Sequence, residues 1–416
     1  MLTLEHGQEL WNRLEELGKF SEEGPGLTRR PFTPEHVQAN ALICEWMEKA
    51  GLEIHLDPAG TLIGRKPGPE GCKTFLLGSH QDSIKNGGKY DGMLGIALPI
   101  YVLELMKDTS LPYTIEVLAF ADEEGVRFPT ALMGPRVLAG TFDEANLLLT
   151  DKDGISLQDA LTGFGGDPQS LKATQRDPNS IMGYLEVHIE QGPVLEDAGK
   201  AVGIVTAICG IERWTVTLTG QAAHAGTTPM ELRKDSFAGA AEIALMIEDI
   251  CRKTENVVGV VGHLNITPNV VNAIPGSTDF SVELRASNDD MRAKTGEYIT
   301  KNIKEIAAKR NLGNTIKKTY AQKAVPCDDA LSDILETSVS IVDTSPMRLM
   351  SGATHDASAM SDLCPISMLF MRCTHGLSHH PDEAISAEDC SIALEVVKRL
   401  FTKLQTFDPE GQAVYP

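Results

Sequence analysis

Long apolar runs are missing from this sequence. No stretch approaches the length of a transmembrane helix. The first ten residues do not combine a basic region with an apolar core, which a secretory signal would need. We therefore expect a cytoplasmic protein that does not bind membranes.

Basic residues are also scarce. The chain has 37 Lys and Arg against 58 Asp and Glu, which gives a formal net charge of −21. Such a chain is repelled by phosphate backbones and by anionic lipid surfaces. Neither nucleic acid nor a membrane is therefore expected as a partner.

Paired cysteines are absent as well. The eight cysteines are scattered, and no two of them form a Cys-x-x-Cys motif. The pattern argues against both a disulfide framework and a thiolate zinc site. Most of these thiols are expected to be small core residues.

What is present indicates an α/β protein interrupted by an inserted block. Strand and helix patterns alternate in residues 1–209 and again in 325–416, which predicts one domain built on a doubly wound, mostly parallel sheet. Residues 210–324 instead follow a βαββαβ order, typical of a ferredoxin-like unit. Apolar and polar residues alternate from Phe280 to Arg285, so this second sheet should have one solvated face.

The segment from Gly78 to Gly95 places one imidazole and two carboxylates next to a strand and a helix. His80 and Asp82 follow the apolar strand Thr74–Leu77, and Asp91 precedes the helical pattern that begins at Gly92. Open α/β sheets bind ligands at the carboxyl ends of their strands. A loop histidine and a helix-capping aspartate are the alternative interpretation of these residues.

Similar residues follow other predicted strands. Glu123 and Glu124 come after the strand that ends at Phe120, and a solvated acidic turn is their alternative interpretation. A set of imidazoles and carboxylates without thiolate suits Zn²⁺, Mn²⁺, Co²⁺ or Ni²⁺. Five ligands exceed the needs of one hydrolytic ion, but two ions that share a carboxylate would use them all. The candidate ligands are His80, Asp91, Glu124, His188 and His379.

Six motifs resemble those of the hydantoinase/carbamoylase amidase family. That family contains N-carbamoyl-L-amino acid hydrolases, β-ureidopropionases and allantoate amidohydrolases, and belongs to the superfamily of di-metal aminoacylases and carboxypeptidases. The resemblance extends over about residues 10–405, with the motifs in the family's order. They are Gly78–Ser83, Gly87–Gly92, Glu123–Phe128, His188–Pro193, Ala223–Met230 and Ser378–His379.

The resemblance implies two divalent ions in each subunit. His80 and His188 would hold one ion, Glu124 and His379 the other, and Asp91 would bridge them. Glu123 would act as general base and then as general acid. Asp82 would accept the imidazole N–H of His80. His379 is preferred over its neighbour His380 because the family pattern Ser-His-x-x-x-Glu matches Ser378, His379 and Glu383.

The resemblance also implies a homodimer. His224, in the inserted block, would stabilise the oxyanion in the active site of a partner subunit, which makes the insert a lid and dimerisation domain. A polar loop residue is the alternative for His224, a solvent-facing strand residue for Arg285, and a helix-start residue for His355. Thr354 stands where family members usually have glycine. The implied substrate-binding residues are Gln191, Asn272, Arg285, Gly352 and His355.

These features predict a metal-dependent amidohydrolase. The expected substrate is an N-carbamoyl-L-amino acid, cleaved at a C–N bond to the amino acid, CO₂ and ammonia. Allantoate or β-ureidopropionate is the next candidate, and a simple N-acyl amino acid or dipeptide is the third. A non-catalytic binding or assembly module with the same fold is the alternative of a different class, and the intact ligand set argues against it.

Overall fold

The computed structural model describes residues 1–406 and divides the chain into two units. The first unit comprises residues 1–206, 327–349 and the chain from Thr354 onward, and the second comprises 207–326 and 350–353. The sequence-based division instead changes domain after residues 209 and 324 and assigns 350–353 to the α/β domain. Its last segment includes residues 407–416, which lie outside the described part of the chain.

Eleven α-helices and fifteen strands lie within the residues that the structure describes. Several were not predicted, including the first helix, although Leu10, Leu14 and Leu17 recur at helical spacing and are buried there. The helices are α1 (Leu4–Leu17), α2 (Pro34–Lys49), α3 (Leu94–Leu105), α4 (Met133–Ala139), α5 (Leu157–Phe164), α6 (Val194–Asp197), α7 (Ser236–Lys253), α8 (Asp289–Lys309), α9 (Asp329–Val339), α10 (Asp356–Met360) and α11 (Ala387–Lys403). The strands are β1 (Glu53–Leu56), β2 (Leu62–Lys66), β3 (Thr74–His80), β4 (Thr114–Phe120), β5 (Ile181–Ile189), β6 (Val202–Ile208), β7 (Gly210–Thr219), β8 (Ala223–His224), β9 (Val257–Thr267), β10 (Ala273–Ile274), β11 (Ser277–Ala286), β12 (Gly313–Gln322), β13 (Val325–Pro326), β14 (Arg348–Ser351) and β15 (Ile366–Met371).

A mixed sheet forms the first unit, in the order β1-β2-β4-β3-β5-β15-β6-β13, with β14 paired to β6. Its four central strands, β4, β3, β5 and β15, are parallel, whereas the outer pairs are antiparallel. The predicted fold class is therefore confirmed, with antiparallel strands added at both edges. Because the central strands are parallel neighbours, their carboxyl ends lie along the same edge of the sheet.

Apolar residues cover both faces of this sheet. One large cluster joins the sheet to α1, α2, α3, α9 and α11, and a smaller one lies around Phe32, Phe128 and Leu161. The helix α3 is buried along nearly its whole length, and it packs on β3 and β5. The strands are near-continuous apolar runs because both of their faces are covered.

The second unit contains the βαββαβ block. Its four-stranded antiparallel sheet has the order β12-β7-β11-β9, and α7 and α8 pack on one face. Buried and half-buried residues alternate along β11, where Phe280, Val282 and Leu284 are fully buried. A two-stranded ribbon of β8 and β10 accompanies this sheet and was not predicted. No helix within residues 1–406 combines the length and apolarity that a membrane crossing requires.

Candidate metal centre

Asp91 lies at the centre of the predicted ligand set. Its Oδ1 atom lies 3.4 Å from Nε2 of His80 and 3.1 Å from Nε2 of His188. Its Oδ2 atom lies 3.5 Å from Nε2 of His379. The two carboxylate oxygens thus face different histidines.

Glu124 completes the second side of this arrangement. Its Oε1 atom lies 3.4 Å from Nε2 of His379. The donor atoms form two groups, His80–Asp91–His188 and Asp91–Glu124–His379, and within each group they lie within 4.8 Å of one another. All five predicted ligands therefore come together, with Asp91 common to both groups.

The fold accounts for this convergence. His80 ends β3, His188 is the penultimate residue of β5, and Glu124 follows β4. His379 lies in the loop after β15, in the left-handed region with φ = 57°. Since these four strands are parallel neighbours, residues far apart in sequence meet at one edge of the sheet.

Backbone carbonyl groups orient the two buried histidines. Nδ1 of His80 lies 2.9 Å from the carbonyl oxygen of Asp82, and Nδ1 of His188 lies 2.9 Å from that of Ile189. A carbonyl oxygen can only accept, so Nδ1 carries the proton in both rings. Each ring therefore presents its Nε2 atom to Asp91, and this is the atom that would bind a metal ion.

The contact between Asp82 and His80 differs in its atoms from the prediction. The partner of the imidazole N–H is the backbone carbonyl of Asp82, while its carboxylate lies 3.7 Å from Nδ1. The carboxylate instead accepts the backbone N–H groups of Glu123 and Glu124, each at 3.0 Å. Asp82 therefore fixes the acidic loop after β4 as well as the ring of His80.

Glu123 and Glu124 are not a solvated turn. Glu123 is 8% exposed, and its carboxylate lies within 4.8 Å of donor atoms of His80 and Glu124. Burial raises the pKa of Glu123 well above its usual range, against the effect of His80. Burial, together with the charge of Asp91, raises the pKa of Glu124 to about 8.

These shifts indicate a site that fits cations. Buried carboxylates repel one another and are costly to ionise without a compensating charge. The ion-pair partners of Asp91 and Glu124 are histidines. Divalent ions held by imidazole nitrogens and carboxylate oxygens would supply the missing charge.

Asp91 does not cap a helix. The helix α3 begins at Leu94, and its N-cap is Met93, which makes no side-chain capping bond. Gly92, with φ = 73°, forms the turn between Asp91 and this helix. A Cβ atom there would lie 2.6 Å from the ring of His80, so only glycine lets the loop approach the imidazole.

Gln191, a predicted substrate-binding residue, also contacts Asp91. Its Nε2 atom donates to Oδ2 of Asp91 at 2.7 Å and to Oγ of Ser378 at 3.3 Å. Gln191 has φ = 58°, which is rare for a residue with a side chain. Its role in substrate binding stays a prediction.

His355 has a different environment from the one expected for a substrate-binding residue. It is 1% exposed, and its ring packs against those of His188 at 4.5 Å and Phe370 at 5.7 Å. Burial lowers the pKa of His355 well below its usual range. This geometry favours support of His188, and a direct contact with substrate stays a prediction.

In the second unit, the structure brings His224 and Asn272 together. His224 lies on β8, opposite Ala273 of β10, and the carbonyl of Asn272 accepts the N–H of Ala225 at 2.9 Å. Nδ1 of His224 accepts the N–H of Gly226 at 3.1 Å, so Nε2 carries the ring proton. The exposed imidazole is therefore a hydrogen-bond donor at Nε2.

Arg285 and Gly352 are also in contact within this unit. The Nε atom of Arg285 donates to Glu283 at 2.8 Å, and Nη1 donates to the carbonyl oxygen of Gly352. Arg285 is therefore not a free solvent-facing residue. A side chain at position 352 would meet nothing within 4 Å, so its contact with Arg285 needs only the backbone.

Sequence reasoning missed several residues around the centre. Glu186 accepts hydrogen bonds from Ser79 and from the backbone of Ala357, and Asp356 is buried with neither carboxylate oxygen paired. Glu383 was considered only as part of the motif around His379, yet its carboxylate accepts the backbone N–H of Asp91 at 3.1 Å. Glu186 could have been noticed, because it is a charged residue inside the otherwise apolar strand β5. No pattern in the sequence indicated the contacts of Glu383.

A cluster of imidazoles and carboxylates, at the carboxyl edge of a sheet with a parallel centre, defines a metal-dependent hydrolase. A sequence profile of the family described as Peptidase family M20/M25/M40 matches residues 76–403. The chain belongs to this family.

Individual relatives narrow the resemblance. An N-carbamoyl-L-amino acid amidohydrolase from Geobacillus stearothermophilus is 40% identical over 94% of this chain and 97% of its own. An allantoate deiminase from Arabidopsis thaliana is 38% identical over 92% of this chain and 79% of its own. The crystal structure of a hydantoinase/carbamoylase family amidase from Burkholderia multivorans has a TM-score of 0.88 and 30% identity, and it covers 95% of this chain and 97% of its own. The resemblance that the motifs predicted is thus confirmed.

Proposed function

We propose that the protein is an N-carbamoyl-L-amino acid amidohydrolase. It would hydrolyse the C–N bond of the carbamoyl group and release the amino acid, CO₂ and ammonia. One observation carries the proposal: the two oxygens of Asp91 face separate histidines, which is the arrangement that two ions sharing a carboxylate need. The similarity to a named amidohydrolase of this specificity, over nearly the whole chain, supports the substrate class.

The five ligands would hold two divalent ions, of Zn, Mn, Co or Ni. His80 and His188 would bind the first, Glu124 and His379 the second, and Asp91 both. When bound, such ions polarise the ureido carbonyl and lower the pKa of a water molecule to roughly 7. The Nε2 atoms of His80 and His188, which both face Asp91, and the buried carboxylates of Glu123 and Glu124 support this assignment.

Glu123 would carry the proton during hydrolysis. It takes a proton from the attacking water at a carboxylate oxygen and returns it to the leaving nitrogen. Burial raises the pKa of Glu123, whereas a bound cation would favour its ionised form, so the same carboxylate could serve in both steps. Asp82 holds the backbone of Glu123 and so fixes where this proton transfer occurs.

The second unit would supply substrate recognition. We assign the α-carboxylate of the substrate to Asn272 and Arg285, because a guanidinium with donors to spare can bind a carboxylate at two points. His224 would donate from Nε2 to the developing oxyanion in the active site of a partner subunit of a homodimer. Gln191, Gly352 and His355 complete the predicted substrate contacts.

Allantoate is the second candidate substrate. The named allantoate deiminase is nearly as similar to this chain as the amidohydrolase is. Allantoate also carries ureido groups and a carboxylate, so the same residues would serve it. Thr354, which by the resemblance stands where family members usually have glycine, immediately precedes His355 and would bear on which of the two substrates is accepted.

Ammonia release decides between these functions. The purified protein is assayed against N-carbamoyl-L-amino acids, allantoate and β-ureidopropionate, before and after chelation. We expect hydrolysis of carbamoyl amino acids, its loss on chelation, and its return with added Zn²⁺ or Mn²⁺. Glu123→Gln should retain the metal and lose turnover by about 100-fold or more. If the protein hydrolyses none of these compounds, a catalytically silent module would be favoured instead.

A further inference from the structure

One buried carboxylate beside the centre has no part in the chemistry proposed above. Glu383 is 5% exposed and lies in the loop between β15 and α11. Its Oε1 atom accepts the backbone N–H groups of Tyr90 at 3.0 Å and Asp91 at 3.1 Å. Its Oε2 atom lies 3.1 Å from Oγ of Ser378. One side chain therefore contacts both the loop that carries Asp91 and the loop that carries His379.

Ser378 extends this contact to the bridging carboxylate. Its Oγ atom lies 2.8 Å from Oδ2 of Asp91, the oxygen that faces His379. Ser378 immediately precedes His379, so the same loop supplies a predicted ligand and a hydrogen bond to the other ligand. The path from Glu383 through Ser378 ends on the atom of Asp91 that the second ion would use.

The loop before Asp91 is built around Glu383. A Cβ atom at Gly88 would lie 2.1 Å from the carboxyl carbon of Glu383, so the backbone there touches the carboxylate directly. Asp91 itself is buried, and its backbone N–H needs a partner. Glu383 supplies that partner from a segment that is almost 300 residues away in the chain.

We propose that Glu383 is a positioning residue that holds the Asp91 loop and the His379 loop at a fixed separation. It contacts no predicted ligand side chain and would not take part in proton transfer. Its effect would be on the affinity of the second ion, which both loops share. This inference rests on the proposed two-ion function and adds the residue that keeps the shared oxygen of Asp91 in place.

Zn²⁺ binding by four variants tests the proposal. The number and affinity of bound Zn²⁺ ions are measured by competition with a chelator, with elemental analysis, on the full chain. Glu383→Ala should lower the affinity of one of the two Zn²⁺ ions, the one that Glu124 and His379 would hold, by roughly 10–100-fold, as removal of a residue behind a ligand typically does. Glu383→Gln keeps an oxygen for both backbone N–H groups and a donor for Ser378, so it should bind Zn²⁺ nearly as the wild type does. Ser378→Ala should lower the affinity of the same Zn²⁺ ion that Glu383→Ala affects.

Asp382→Ala, which alters the exposed neighbour of Glu383, is the control and should bind as the wild type. A folded Glu383→Ala protein with both wild-type affinities would overturn the proposal. If that variant does not fold, unchanged Zn²⁺ affinity in Ser378→Ala would overturn it. A Glu383→Gln variant as weak as Glu383→Ala would also do so, since charge rather than hydrogen bonding would then be required. A wild-type protein that binds no Zn²⁺ and ignores chelation would contradict the proposed function itself.

Discussion

Replacing Asp91 with alanine removes the carboxylate that faces both groups of histidines. Neither group then keeps more than two predicted ligands, and His80 and His188 lose the carboxylate that faces their Nε2 atoms. We expect Asp91→Ala to lose both ions and all detectable ammonia release. Elemental analysis after dialysis checks the metal content. Two tightly bound ions in this variant would rule out a shared carboxylate.

Asp82→Asn tests whether the carboxylate of Asp82 holds the loop that carries Glu123 and Glu124. The two carboxylate oxygens accept the N–H groups of Glu123 and Glu124, but asparagine offers one oxygen and one N–H₂ group. His80 keeps its bond to the backbone carbonyl. We therefore expect kcat to fall by roughly 10–100-fold while the site of His80 retains its ion.

The control for this variant is Asp143→Asn, an exposed aspartate that also accepts a backbone N–H. It should leave kcat unchanged. If Asp82→Asn instead loses the ion at His80 while the metal-saturated variant keeps the wild-type kcat, the main role of Asp82 would be to orient His80.

A histidine away from the metal centre makes folding stability depend on pH. His36 is fully buried beside Phe164, and burial lowers its pKa to about 3, with a smaller contribution from Arg29. In the unfolded chain the imidazole regains its usual pKa and binds a proton below pH 6.5. Its contribution to stability is therefore complete above pH 6.5 and is lost as the pH falls towards 3.

Between pH 7 and pH 5 this loss amounts to roughly 2 kcal/mol for His36. His36→Gln retains an acceptor for the N–H of Phe32 but cannot titrate. Urea unfolding of both proteins at the two pH values should show the wild type losing about 2 kcal/mol more than the variant. If both proteins lose the same unfolding free energy between pH 7 and pH 5, His36 must already be protonated at pH 5 in the folded protein.

The junction between β3 and α3 is where element geometry governs the site. Gly92→Ala places a methyl group against the ring of His80, in a backbone conformation with φ = 73°. We expect lower Zn²⁺ affinity and a loss of about 1–2 kcal/mol in stability from the left-handed backbone alone. Gly154→Ala is a matched control, since Gly154 has φ = 81° and its Cβ would meet nothing within 4 Å. It should lose stability and keep its Zn²⁺ affinity.

Among the elements, those that the sequence patterns predicted have a regular pattern of apolar residues, although α1 was missed despite its buried leucines at helical spacing. The parallel strands with polar residues at their carboxyl ends and the alternating β11 are examples. The ribbon of β8 and β10 has two residues in each strand, too few for any period. The hydrogen bonds of Asp82 and Glu383 could not be predicted, because backbone atoms from distant segments decide which oxygen finds which donor.

At the scale of the whole molecule, assembly can be tested by mixing inactive subunits. His224→Ala and Glu123→Gln should each be impaired alone. If His224 acts in the active site of a partner subunit, a mixed dimer has one site with both groups intact. Random mixing should then restore about one quarter of wild-type activity. Glu123→Gln mixed with the double variant is the control, and equal inactivity in both mixtures would place His224 in its own subunit's site.

The distance along the chain between the two sides of the centre has a consequence for folding. The bond between Ser378 and Asp91 joins residues 287 positions apart, and the Asp91 contact of Glu383 joins residues 292 apart. Contacts of such high order form late, because a long loop must close before they contribute. A chain still emerging from the ribosome has His80, Asp91 and His188 well before His379. If the protein holds the two proposed ions, the second ion would therefore mark a chain whose last segment has docked.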